Sequence, residues 1–129
     1  MRHIIMIVDD NTNLLDMFKD IFKLAIMRFP DSEVELLTFL SPIEALYYYE
    51  NNCNDIGVVI SDYQMPKMLG SAFYNILSLV DPDLKFILLT GLYRDFDVHD
   101  RSNLIGIYHK PLDGTFDFVS DLIKMLEEG

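Results

Sequence analysis

Four places in the sequence carry side chains that could do chemistry, and each follows a short apolar run. Asp9-Asp10 follow IIMIV, Asp62 follows VVIS, Thr90-Gly91 follow FILL, and Lys110-Pro111 follow IYH. Taken singly they are ordinary: an acid often ends an apolar run, and Asp9-Asp10 alone would mark a turn more often than a site. Taken together they are costly. Two unit charges about 4 Å apart repel by about 4 kcal/mol at an effective dielectric near 20. Raised pKa values, a cation, or both must offset that repulsion. Lys110 offers one fixed positive charge. A hard divalent ion suits the remainder, because Mg²⁺ takes one or two carboxylates, a carbonyl and several waters rather than a full protein cage. Asp9, Asp10 and Asp62 meet that demand, with the backbone carbonyl of Gln64 as a further oxygen. A carboxylate is also a nucleophile toward phosphorus, forming an aspartyl phosphate. The oxygens of an incoming phosphoryl group need donors already in place. Mg²⁺, the Lys110 ammonium and the Thr90 hydroxyl are three such donors, and Gly91 leaves room beside Thr90.

Such a gathering requires strands that all end on one side. Continuous apolar runs at residues 3–8, 56–60, 86–89 and 105–108 suit strands buried on both faces, and the alternation over 33–38 suits an edge strand. Between them lie helical patterns. Leu14, Phe18, Ile21, Ala25 and Phe29 repeat at three and four residues, after the cap candidates Asn11 and Thr12. Ser41-Pro42-Ile43-Glu44 carries a start signal, with Ser41 as cap, Pro42 in the first turn and Glu44 reaching back. Residues 71–80 form a third helix, ended by Asp81-Pro82. Phe116, Val119, Ile123 and Leu126 mark the last, capped from Asp113. A short fourth helix is expected within 92–103, where Asp95, Asp97 and Asp100 are poor formers. Strand and helix alternate five times, which implies one α/β domain over 1–129: a doubly wound parallel sheet with helices on both faces. Sites in such folds lie at the carboxyl ends of the strands, beside a topological switch point.

Composition narrows the partners. The 129 residues carry a formal net charge of −11 and a pI near 4.4, which disfavours direct binding to nucleic acid or anionic membrane. One cysteine, Cys53, can form no internal disulfide. The start, MRHIIMIVDD, is too short an apolar stretch for a signal peptide or a membrane span, so the expected location is the cytoplasm. His3, His99 and His109 share no metal-ligand spacing.

In order and position, Asp9-Asp10 after IIMIV, Asp62 in SDYQMP with Gly70 following, Thr90-Gly91 after FILL, and Lys110-Pro111 resemble the signature of response-regulator receiver domains of two-component signalling. The resemblance is CheY-like and covers essentially the whole chain. It implies strand order 2-1-3-4-5 with five flanking helices. It also implies a phosphoacceptor, Asp62, that takes its phosphoryl group from a sensor histidine kinase or histidine phosphotransfer protein. Asp10, Asp62 and the Gln64 carbonyl would hold Mg²⁺, with Asp9 contributing partly through water, while Thr90 and Lys110 bind the phosphoryl oxygens. The product would switch binding to a downstream protein target. Such a domain accepts and slowly loses its own phosphoryl group and is not an enzyme on other substrates. The resemblance further implies a cis Lys110–Pro111 peptide.

The chain departs from that pattern where receivers often carry a switch aromatic, three residues before the lysine. Ile107 stands there and Tyr108 one residue later, so strand alternation points Tyr108 to the opposite face. Gln64 and Leu92, two residues beyond Asp62 and Thr90, imply modest to slow self-dephosphorylation. Leu92, Tyr93 and Phe96 would form an apolar patch on the fourth-helix face. Tyr47, Tyr48 and Tyr49 face three directions around one helix, so burial of some and exposure of others is expected. Two other readings are weaker. A phosphatase of the haloacid dehalogenase type would need a second acid two residues after its nucleophile, and Gln64 and Asn11 stand in those places. A phosphorylation-independent binding domain would have no use for the intact acidic set.

Overall fold

Residues 4–8, 56–61 and 86–90 are buried along their whole lengths, and burial on both faces is what a continuous apolar run can satisfy. The computed structural model describes residues 2–91, 98, 100–110 and 112–129. Strands β1 (Ile4–Val8), β2 (Glu35–Phe39), β3 (Ile56–Ser61), β4 (Phe86–Thr90) and β5 (Leu104–His109) form one sheet in the order β2-β1-β3-β4-β5. Every pairing is parallel. The less apolar β2 and β5 lie at the two edges, with partial exposure.

Helices α1 (Thr12–Ala25), α2 (Pro42–Asn52), α3 (Gly70–Val80) and α4 (Thr115–Glu128) cover the sheet. Alternation along the strands sorts the core in two. Met6, Val59 and Leu88 pack with Tyr49, Phe73 and Leu77 of α2 and α3. Ile7, Ile60 and Leu89 pack with Phe18, Val119 and Ile123 of α1 and α4. Among the described residues, no helix is long and apolar enough to cross a membrane.

The expected cap residues Asn11 and Ser41 act at two helices, while among the described residues no bond runs from Glu44 back to Ser41. The Asn11 side chain accepts from the Leu14 N–H at 3.2 Å, and Ser41 Oγ accepts from the Ile43 N–H at 3.2 Å with Pro42 as first residue. At α4 the expected cap from Asp113 is replaced. Gly114 is the cap residue, with φ 66° and ψ 43° and no side-chain cap bond. That left-handed conformation suits glycine, and it carries the chain into the helix without help from Asp113.

The described residues contain four α-helices where five were expected. Of 92–103, residues 98 and 100–103 are described and are not helical; the rest, with Leu92, Tyr93, Phe96 and His99, lie outside the described residues. The described part is held in other bonds. The Tyr74 hydroxyl donates to the Asp100 carbonyl at 2.8 Å and accepts from the Asn103 N–H at 3.2 Å. The Asn103 amide donates to the carbonyls of Pro82 and Leu84, each at 2.9 Å. These bonds carry the chain into β5 as a turn.

One extra residue, Ile105, interrupts the β4–β5 register, since Phe86 pairs with Leu104 and Ile87 with Gly106. Beyond this bulge Ile107 stands opposite Leu88 and Tyr108 opposite Leu89. Tyr108 therefore faces α4, where its ring meets Phe118 edge-on with centroids 4.9 Å apart. Ile107 takes the α2/α3 side. The bulge precedes both residues, so it leaves their relation to Lys110 as simple alternation requires.

At the amino ends of the strands a buried polar network ties three segments together. The Asp81 carboxylate, 3% exposed, accepts from Arg2 Nη1 at 2.6 Å and from the Tyr49 hydroxyl at 2.5 Å. Arg2 Nη2 and the Asp83 N–H donate to its other oxygen, at 3.2 and 3.0 Å. The sequence marked Asp81 only as a helix terminator. Its partners lie 79 and 32 residues away, beyond any local pattern. Of the tyrosine run, Tyr47 is exposed, Tyr48 partly buried and Tyr49 buried.

Candidate functional site

β1 and β3 are neighbours, so the acids that follow them meet at the carboxyl edge of the sheet. Asp9, Asp10 and Asp62 each present a carboxylate oxygen within 4.8 Å of the others'. Asp9 is buried, Asp62 partly buried and Asp10 exposed. Lys110, just past β5, reaches across the edge: its Nζ lies 2.6 Å from Asp9 Oδ2 and 3.3 Å from Asp62 Oδ2. Thr90 ends β4, is buried, and its carbonyl accepts from the Lys110 N–H at 2.8 Å. Gln64 is exposed in the loop between β3 and α3.

Asp9 has a partner at each oxygen, since the Asn11 N–H donates to Oδ1 at 2.9 Å and Lys110 to Oδ2. Asp62 is held on one side, where the Tyr63 N–H donates to Oδ1 at 2.8 Å. Its Oδ2 faces Lys110. Burial is the main cause that pushes the Asp62 carboxyl above the ordinary carboxylate range. The Lys110 charge pulls it back, and the Asp9 charge raises it again. Three carboxylates against one ammonium leave negative charge uncompensated, and all the donors are hard oxygens. A small hard divalent cation fits that donor set.

The loop after Asp62 is drawn tight. The Gly70 N–H donates to the Tyr63 carbonyl at 2.6 Å. A Cβ on Gly70 would stand 2.5 Å from the Asp62 carbonyl oxygen and 2.9 Å from Tyr63 Cα. Neither atom belongs to a side chain that could swing away. Gly70→Ala should therefore displace the Asp62 backbone, cost about 1–3 kcal/mol of stability, and slow any reaction at Asp62. A urea titration that leaves the variant within about 0.5 kcal/mol of wild type would mean the loop yields freely.

Sequence reasoning passed over Ser61. It is fully buried at the end of β3, and its hydroxyl donates to the Asp62 carbonyl at 2.9 Å. A small polar residue closing an apolar run gives no outward sign of that bond.

No family model and no curated protein matches the sequence. Solved structures do match the fold. A CheY-like response regulator receiver domain protein from Methanospirillum hungatei superposes with a TM-score of 0.78 at 23% identity, covering 99% of this chain and 96% of that one. The CheX-CheY-BeF3-Mg+2 complex from Borrelia burgdorferi gives 0.73 at 23%, covering 96% and 88%. A receiver domain protein from Clostridium thermocellum gives 0.71 at 24%, covering 97% of each. These likenesses run the length of the chain and agree with its strand order, so the chain has the CheY-like fold of response-regulator receiver domains.

Proposed function

We propose that residues 1–129 form a receiver domain of two-component signalling, in which Asp62 accepts a phosphoryl group from a histidine kinase or a histidine phosphotransfer protein. The observation that carries this reading is the meeting of Asp9, Asp10 and Asp62 with Lys110 at one sheet edge. In the reaction an Asp62 carboxylate oxygen forms the new O–P bond while the P–N bond to the donor histidine breaks and the imidazole leaves with its electron pair. Lys110 would move from its carboxylate partners toward the phosphoryl oxygens, and the Thr90 hydroxyl would donate to another.

Asp9, Asp10, Asp62 and the Gln64 carbonyl would hold Mg²⁺. When bound, the ion would supply charge neutralisation for the acids and the transferring group. The similar Borrelia burgdorferi structure is a complex of CheY with CheX, BeF3 and Mg+2, which supports both a magnesium requirement and a protein partner here. In this reading the domain works in the cytoplasm as a switch that changes binding to a downstream protein, and turns over no other substrate.

The test is incubation with acetyl phosphate, with Mg²⁺ and with excess chelator, followed by intact-mass and peptide-mapping mass spectrometry. The expected result is the mass gain of one phosphoryl group, mapped to Asp62 and absent with chelator. A gain that persists in chelator, or maps to another residue, would overturn the proposal.

A further inference from the structure

Asp62 is the only one of the three clustered acids whose carboxylate is held by the amide that immediately follows it. The C=O of Asp62 and the N–H of Tyr63 belong to one peptide plane, which is rigid. At one end of that plane the Tyr63 N–H grips Asp62 Oδ1 at 2.8 Å. At the other end the Asp62 carbonyl accepts from Ser61 Oγ at 2.9 Å. The plane lies just past the end of β3, where ladder pairing stops at Ser61 opposite Val8 and Leu88. Whatever fixes its rotation therefore also fixes where the carboxylate points. The Asp62 N–H is already tied to the Val8 carbonyl at 3.1 Å, so the peptide plane beyond it is the remaining freedom.

We infer that Ser61 is a positioning residue for the phosphoacceptor: its hydroxyl sets the Asp62–Tyr63 peptide plane so that Oδ1 stays on the Tyr63 N–H and Oδ2 is presented for reaction. Ser61 touches no reacting atom and acts only through Asp62. The surroundings favour a fixed hydroxyl. Ser61 is fully buried, and among the described residues the other acceptor it meets is the Met65 sulfur, at 3.6 Å, a weak one. The hydroxyl proton thus has one strong acceptor, the Asp62 carbonyl. Gly70, whose missing Cβ lets it lie against that same carbonyl, also packs there.

The inference rests on the phosphoacceptor reading for its kinetic arm and stands apart from it in its spectroscopic arm. Ser61→Ala removes the hydroxyl without adding bulk, and Ser61→Thr keeps it. In the unphosphorylated proteins the Tyr63 amide resonance is followed in ¹H–¹⁵N spectra. Phosphorylation by acetyl phosphate is followed at saturating donor and Mg²⁺. In Ser61→Ala the Tyr63 amide is expected to move away from its carboxylate-bonded position, and the maximal rate constant to fall roughly tenfold, with the half-saturating donor concentration unchanged. Ser61→Thr restores the amide position and brings the rate back to within about twofold. An unmoved Tyr63 amide in Ser61→Ala, a wild-type rate in that variant, or an equal loss in a folded Ser61→Thr overturns the role. Absence of any adduct on the wild-type protein would instead sink the phosphoacceptor reading, and the amide position would still decide whether Ser61 sets the plane.

Discussion

Asp62→Asn is expected to abolish phosphoryl acceptance and, at neutral pH, to raise the urea denaturation midpoint. The amide is nearly isosteric, but it is not a nucleophile toward phosphorus, so labelling by acetyl phosphate with Mg²⁺ should fall to background. The gain in stability follows from the environment. Burial, reinforced by Asp9, holds the Asp62 carboxyl above its ordinary range despite Lys110, which means that folding disfavours the ionised form. An amide avoids that cost and still offers an oxygen to the Tyr63 N–H. Lys110 keeps its bond to Asp9 at 2.6 Å, so the substitution orphans no cation. The sign with pH is fixed as well. A raised folded-state pKa means the native protein binds this proton at higher pH than the unfolded chain does. The wild-type penalty is therefore full above that raised pKa and fades as pH falls through it. The stability difference between variant and wild type should shrink on acidification. Undiminished labelling of Asp62→Asn would place the acceptor elsewhere, and a lower midpoint at neutral pH would show that the Asp62 charge is net stabilising.

Asp81→Ala should produce the largest loss of stability among these substitutions, about 3 to 5 kcal/mol, the scale of breaking a buried ion pair from one side. Arg2 is 28% exposed and can regain water, which favours the lower end. The Tyr49 hydroxyl cannot easily do so, because Tyr49 is 1% exposed. Tyr49→Phe deletes one bond to a charged acceptor and should cost about 1.5–3 kcal/mol. For Asp81 the pH sign is opposite to that of Asp62. Burial alone would raise its carboxyl, but the bonds from Arg2, Tyr49 and the Asp83 N–H outweigh it and hold the carboxyl below the ordinary range. Its contribution is present above the unfolded-state pKa, near 4 by the usual carboxylate value, and is lost as pH falls through the lower folded-state pKa. Urea titrations from neutral pH to about pH 2 should therefore show a steep acid limb in wild type and a flatter one in Asp81→Asn. Equal acid limbs would mean that the carboxylate is not ionised against Arg2. Phosphoryl acceptance at neutral pH should be unchanged in the folded fraction, since the network sits at the opposite end of the sheet.

The acids of the candidate site were legible in the sequence because parallel strands impose a rule that residue order alone can reveal. Five alternations of strand and helix place every strand end on one side, so Asp9, Asp10, Asp62, Thr90 and Lys110 could be read as neighbours from their places after apolar runs. The order β2-β1-β3-β4-β5 came with the resemblance those residues carry. Caps that depend on three or four successive residues, at Asn11 and Ser41, were equally legible, and so was the parity that turns Tyr108 away from Ile107. Each of these is decided within a turn of helix or a few residues of strand, where side-chain direction follows from the backbone period.

Other features depend on distances that no local pattern encodes. Asp113 looked like a cap, yet the chain enters α4 through the left-handed Gly114, with no side-chain cap bond. Asp81 looked like a terminator, yet it is the acceptor of Arg2 and Tyr49 from segments far apart in the chain. The turn at 100–103 is held by the Tyr74 hydroxyl and the Asn103 side-chain amide, whose partners lie 19 to 29 residues away in the chain. Ser61 drew no reading from the sequence, and its role follows only from where the next peptide plane turns. The chain's own order of residues was enough to choose the fold class and to nominate the acids, because periodicity and strand polarity are local. Which oxygen of Asp62 is held, which acid Lys110 approaches most closely, and what locks the far end of the sheet were settled by packing, because each is a bond between groups that only folding brings within about 3 Å.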